Sequence, residues 1–184
     1  MKWTIPGTVL EGQISDAAHI RQQMEAMFFG GGMVLSQVCS ITGLESHTVQ
    51  NWVKRGFLTP PQGKRYTLRQ LCRIININML KGVLPLERIC NLLGYVNGQL
   101  NDETDDLIDD SQLYFLFVRL AANHRQMNTP TGREEYLKTL LDEYVEPVPG
   151  ARERVEKVLR VMLTAWAASQ LRRAAESMLA ELES

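Results

Sequence analysis

Three cysteines and three histidines among 184 residues leave little material for a disulfide framework or a metal centre. Cys39, Cys72 and Cys90 are odd in number and show no paired spacing, which predicts reduced thiols on inward helix faces. The alternative is that they sense a metal or a redox change. His19, His47 and His124 fall in separate stretches with no nucleophile beside them. There is no metal-ligand spacing and no dinucleotide fingerprint. No catalytic residue, metal site or cofactor is therefore named, and an enzyme is not expected.

Long apolar runs are missing too. No stretch approaches the length of a membrane span, and Met1-Lys2-Trp3 leads into Thr, Pro and Gly without the apolar segment of a targeting signal. The expected setting is soluble and cytoplasmic, with no membrane partner. A net charge of -1 likewise argues against an indiscriminate nucleic-acid binder. That balance conceals an uneven distribution. Residues 33–95 hold eight Lys/Arg and two Asp/Glu, whereas residues 96–150 hold four and eleven. A basic module beside an acidic one is a local footprint of nucleic-acid binding.

The basic module carries the most information. Leu35, Val38 and Cys39 recur at helical spacing and are followed by Gly43, which can take the positive φ of a sharp turn. A second helix is predicted from Ser46, read as its cap, with Val49, Trp52 and Val53 inward and Lys54-Arg55-Gly56 at its end. Cys39, Gly43 and Val49 supply the small residue, turn residue and branched plug that two steeply crossing helices need. The outward face is then Ser46, His47, Thr48, Gln50, Asn51, Lys54 and Arg55. Such side chains read base edges or hold phosphates. The bland alternative is a solvated face of an interaction domain.

Pro60-Pro61 and Gly63 predict a turn, with Lys64, Arg65 and Tyr66 at its tip as a wing against the DNA backbone. Thr67 is expected to cap a helix to about Lys81, with Leu68, Leu71, Cys72, Ile75 and Met79 inward. Pro85 opens another helix that buries Leu86, Ile89, Cys90 and Leu93.

Taken together, Gly43, Thr48, Gly56-Phe57-Leu58-Thr59-Pro60, Lys64-Arg65-Tyr66-Thr67 and Leu86-Glu87-Arg88-Ile89-Cys90-Asn91-Leu92-Leu93 resemble the DNA-binding domain of MerR-type regulators. More closely, Gln50-Asn51-Trp52-Val53-Lys54-Arg55-Gly56 and Leu113-Tyr114 resemble an uncharacterised bacterial family with this domain, one of unknown function. The resemblance implies a mainly α fold: a MerR-like winged helix-turn-helix, further C-terminal helices and a long terminal helix that joins a dimer. It implies binding of double-stranded DNA by a bacterial transcription regulator. The alternative is a protein-interaction module that uses the winged helix without DNA.

Four segments follow from the reading. Residues 1–32 form a helical extension, with a helix from a cap at Asp16 to Phe29 carrying Ile20, Met24, Met27 and Phe28, broken by Gly30-Gly31-Gly32. It packs either on the winged helix or on a partner subunit. Residues 33–95 are the winged helix. Residues 96–150 begin with an acidic stretch, 97–110, which lacks the central glycine and distal glutamate of a calcium loop and reads as a solvated linker. Ser111 is expected to cap a helix bearing Leu113, Tyr114, Leu116, Phe117 and Leu120. Thr131 is expected to cap the next, bearing Tyr136, Leu137, Leu140, Leu141 and Tyr144. A small-molecule effector, if the regulator has one, would sit among these aromatic helices at 112–145, and no residue pattern there identifies it.

Residues 151–184 hold a helix without internal Pro or Gly. Val161, Thr164, Ala168, Leu171, Ala175, Met178 and Leu182 repeat at heptad-like spacing, a seam for a homodimer. A second stripe, Val155, Leu159, Met162 and Trp166, widens its start. The competing expectation is that the helix folds back along its own subunit.

Overall fold

A computed structural model describes residues 2–102, 104–124 and 130–183. Among them are eight α-helices and one small antiparallel sheet, β1 (Lys2–Thr4) paired with β2 (Glu11–Gln13). The helices are α1 (Ile20–Ala26), α2 (Leu35–Thr42), α3 (Ser46–Lys54), α4 (Leu68–Leu80), α5 (Leu86–Asn97), α6 (Asp110–His124), α7 (Pro130–Leu141) and α8 (Ala151–Leu182). No helix among the described residues is long and apolar enough to cross a membrane.

The core is organised around α4. Thr67 caps it with its hydroxyl, and Gln70 answers from the third position. An amphipathic stripe was expected here, but α4 is buried on nearly all sides. Ile74, Ile77 and Leu80 join Leu71, Cys72, Ile75 and Met79 in the core, because α2, α5, α6 and α8 all pack against it. Several of its polar side chains reach across to neighbouring segments. Arg73 Nε donates to the Phe57 carbonyl at 2.9 Å. Asn78 Nδ2 donates to the carbonyls of Gly7 and Thr42, each at 2.9 Å. Those bonds tie the first loop and the end of α2 to one scaffold.

The beginning of the chain departs from expectation. Trp3 and Ile5, around an additional β-hairpin, are in the core, and Tyr114 donates its hydroxyl to the Pro6 carbonyl at 3.0 Å. A single 3-10 turn, Ile14–Asp16, precedes α1, which is half the expected length and begins after His19 rather than at an Asp16 cap. Ile20 and Met24 are buried in this subunit's own core, while Met27 and Phe29 lie outside it.

The acidic stretch is not simply a solvated linker. Asp106 pairs with Arg69 at 2.6 Å, and buried Asp110 pairs with Arg73 at 3.3 Å, both arginines coming from α4. Asp109, not Ser111, caps α6, its Oδ1 accepting from the N–H groups of Ser111 and Gln112. The expected apolar residues of α6 are all buried. α7 starts at Pro130, and the expected Thr131 cap rests on a side chain outside the described residues. Leu137, Leu140, Leu141 and Tyr144 are in the core.

α8 has 32 residues, about 48 Å at 1.5 Å per residue. Its faces differ in burial. Val155, Val158, Leu159, Met162, Ala165 and Trp166 pack back on the subunit. Val161, Thr164, Ala168, Leu171, Ala175, Met178 and Leu182 are exposed, as is every residue from 171 to 183.

Candidate nucleic-acid interface

Residues 33–67 comprise two crossing helices and a turn. α2 ends because Gly43 adopts φ 69° and ψ 14°, with its N–H on the Cys39 carbonyl at 2.8 Å. Thr42 supports the turn from both sides. Its hydroxyl donates to the Val38 carbonyl at 2.8 Å and accepts from the Leu44 N–H at 3.3 Å. A side chain at 43 would place its Cβ 2.8 Å from Val9 Cγ1, so it would meet the Val9 side chain as well as the positive φ.

α3 then crosses α2 with Val49 and Trp52 buried. Ser46 is its first helical residue rather than its cap, since Glu45 occupies the cap position and makes no side-chain cap bond. Ser46 Oγ instead lies 3.6 Å from Cys39 Sγ, where the two helices meet. Burial pushes the Cys72 and Cys90 thiols above the usual range, which disfavours the thiolate that metal binding or redox sensing requires.

Ser46, His47, Gln50, Asn51, Lys54 and Arg55 are all exposed on the outer side of α3, with Thr48 half-buried at its edge. Two of the expected contacts are altered. Arg55 is ion-paired to Glu87 of α5, and its guanidinium lies over the Phe57 ring at 4.6 Å. Arg55 is therefore held against the body. Tyr66 is only 3% exposed and belongs to the core beneath the turn, so it is removed from the presented face.

The turn itself is tight. Arg65 N–H donates to the Gln62 carbonyl at 2.9 Å across Gly63 (φ 54°) and Lys64 (φ 63°). Two successive positive φ values are those of a hairpin turn whose twist matches its flanks. Lys64 is the one non-glycine among the described residues with positive φ. Holding a lysine there costs about 1–2 kcal/mol, and such strain tends to mark functional positions. The turn is anchored at its base. Tyr66 and Met33 exchange backbone bonds at 2.7 and 2.9 Å, and Gln70 Nε2 donates to the Thr59 hydroxyl at 2.9 Å. Arg65 Nη1 donates to the Gly32 carbonyl at 3.0 Å, leaving Lys64 at the tip.

Between the turn, α2 and α3 runs a groove of about 760 Å³ whose apolar floor includes Val34, Leu35, Val53 and Pro61 and whose rim carries Lys54 and Lys64. Neither this groove nor the α4 arginines that order the acidic stretch were foreseen, because both arise from residues far apart in sequence.

Among the described residues of 112–145, where an effector is expected to sit, one small space opens beside α6. The aromatic residues of α6 fill the core, and the space bordering Phe115, Leu116 and Tyr144 is about 150 Å³.

Comparison with known proteins corrects the family assignment. The sequence profile that matches, over residues 33–117, is that of a domain of unknown function (DUF1836). No MerR-type or helix-turn-helix family matches, so the MerR-type resemblance is not upheld. The chain is 28% identical over 130 residues to Uncharacterized protein YkrK of Bacillus subtilis (strain 168), covering 67% of this chain and 54% of that protein. The chain thus spans about half the length of the curated relative it matches. No solved structure matches.

Proposed function

We propose that residues 33–67 act as a winged helix-turn-helix that binds double-stranded DNA in a sequence-specific way, in a cytoplasmic transcription regulator rather than an enzyme. One observation carries the reading. An amphipathic α3 buries Val49 and Trp52 while holding Ser46, His47, Gln50, Asn51 and Lys54 outward, beside a turn that leaves Lys64 exposed at its tip. Gln50 and Asn51 have the bidentate amides that suit adenine in the major groove, and Lys54 suits guanine or a phosphate. Lys64 and Arg65 supply backbone contacts, which position the helix without reading sequence.

The regulator acts as a homodimer through the α8 seam, Val161, Ala168, Leu171, Ala175, Met178 and Leu182, all of which are exposed in the single chain. Two copies about a two-fold axis would meet two half-sites of a palindrome.

The groove beside α3 favours a second reading. Its apolar floor and lysine rim suit an amphipathic acidic segment of a partner protein, with no DNA involved. Selection of bound duplexes from a random pool by the full chain, at near-physiological salt, separates the two. An enriched inverted repeat is the expected result. Absence of any enriched sequence overturns the DNA reading and leaves the groove as the functional surface.

A further inference from the structure

A cleft of about 640 Å³ opens on another part of the molecule, where four segments meet. Thr42 and Gly43 at the end of α2 form one wall, Asn78 and Lys81 at the end of α4 another, and Arg172 and Arg173 of α8 a third, with the loop after β1 closing the fourth. The walls are preformed, because the Asn78 amide is committed to the Gly7 and Thr42 carbonyls. Arg172 likewise bonds the Gly82 carbonyl at 2.9 Å.

The charge of this cleft is not balanced. Three cations line it, and no Asp or Glu does so among the described residues. Glu176 reaches Arg172 Nε at 3.3 Å, with both side chains more than half exposed. Lys81 is partly desolvated, which draws its pKa down with no carboxylate to offset the effect. Its Nζ lies 6.0 Å from the centre of the Trp52 ring. Cations gathered in a concave, partly dry site focus their field and raise the local concentration of anions. The volume is that of a small-ligand pocket.

We propose that this cleft binds a small polyanion, a free ligand carrying phosphate or several carboxylates. A duplex backbone is the other source of such charge. Trp52 is on the inward side of α3, however, so Lys81 lies behind the face offered to DNA. A ligand here would touch the Thr42-Gly43 turn and take Lys81 from Trp52. It would therefore bear on the angle between α2 and α3 from their buried side. The inference does not depend on the DNA reading, since the site and its probes involve no DNA.

The test is calorimetric titration of the full chain with sodium pyrophosphate and, separately, citrate, with ionic strength held constant by sodium chloride. Saturable binding of one equivalent of either probe is expected. Lys81→Gln and Arg173→Gln should each weaken it at least about tenfold, the loss of one charge-assisted contact. Lys138→Gln, an exposed cation on α7, should leave it unchanged. Arg172 is left in place because it holds the Gly82 carbonyl. No saturable binding of either probe, or equal weakening by Lys138→Gln, overturns the proposal. So does a result in which Lys81→Gln weakens only DNA binding, which would make the cleft a backbone contact.

Discussion

Arg73 of α4 and Asp110 at the start of α6 form an ion pair at 3.3 Å with side chains only 7% and 2% exposed. The same arginine bonds the Phe57 carbonyl where the chain leaves α3, and Asn76 bonds the Asp110 carbonyl. One buried node thus joins the end of the candidate interface, the central helix and the acidic stretch. Burial raises the Asp110 carboxyl, and Arg73 opposes that rise without cancelling it. Asp110→Ala should cost about 3–5 kcal/mol, because it strands a buried guanidinium. The double change Arg73→Met with Asp110→Leu should cost much less. Urea denaturation of the three proteins checks this, and a single-mutant loss below about 1 kcal/mol would show that the pair is not tightly buried.

Asp106 gives the acidic stretch a pH dependence. Despite Arg69 at 2.6 Å, desolvation pushes its carboxyl up to about 6. The folded value lies above the unfolded one, so its contribution is fully present below about pH 4 and is lost as pH rises through about 6. The size is roughly 1–3 kcal/mol, from about 1.4 kcal/mol per pH unit. Asp106→Asn should remove that slope while leaving those of other groups. Urea midpoints of both proteins between about pH 4 and 7.5 measure it, and parallel curves would contradict the assignment.

Much of residues 33–97 was legible because short-range rules decide it. Gly43 at a turn, Thr67 with Gln70 at a cap, and Val49 with Trp52 on one helix face each follow from local spacing. The same rules misled on family. A turn glycine, a capping threonine and a leucine pair recur in many pairs of crossing helices, and they do not separate one such family from another. The β1–β2 hairpin was missed because three-residue strands give too short a period to read. Tyr66 was misplaced because alternation at a turn cannot tell the outward Arg65 from its inward neighbour. The arginine partners of Asp106 and Asp110 lie about 37 residues earlier, beyond any local pattern.

Gly43→Ala tests the turn. Alanine would meet both a positive φ of 69° and Val9 at 2.8 Å. A cost of about 1–3 kcal/mol is expected, more than the roughly 1 kcal/mol for φ alone. Adding Val9→Ala should recover part of it. Melting temperatures of the single and double variants decide the matter, and no recovery would mean that φ dominates.

On the candidate interface, Lys64→Ala should weaken DNA binding at all sequences and reduce the salt slope by about one. Gln50→Ala and Asn51→Ala should instead relax the preference for particular bases. Arg55→Ala should do less than Lys54→Ala, since Arg55 is engaged by Glu87 and Phe57. Affinities at several salt concentrations separate these effects. Equal losses from Arg55 and Lys54 would require Arg55 to leave Glu87 in the complex.

The free face of α8 offers a separation of folding from association. Leu171 and Met178 are 74% and 65% exposed, so neither supports the fold of its own subunit. Replacing both by Glu should leave the helical signal intact and the folded core unaffected, because the buried stripe from Val155 to Trp166 is untouched. In a homodimer the same change would place two carboxylates per chain in an apolar seam, costing several kcal/mol of association. Sedimentation of the native chain should therefore show a dimer and that of the double variant a monomer. A monomeric native chain would remove the two-fold arrangement, and the seam would then need another partner. A dimer that survives the double change would place the interface elsewhere.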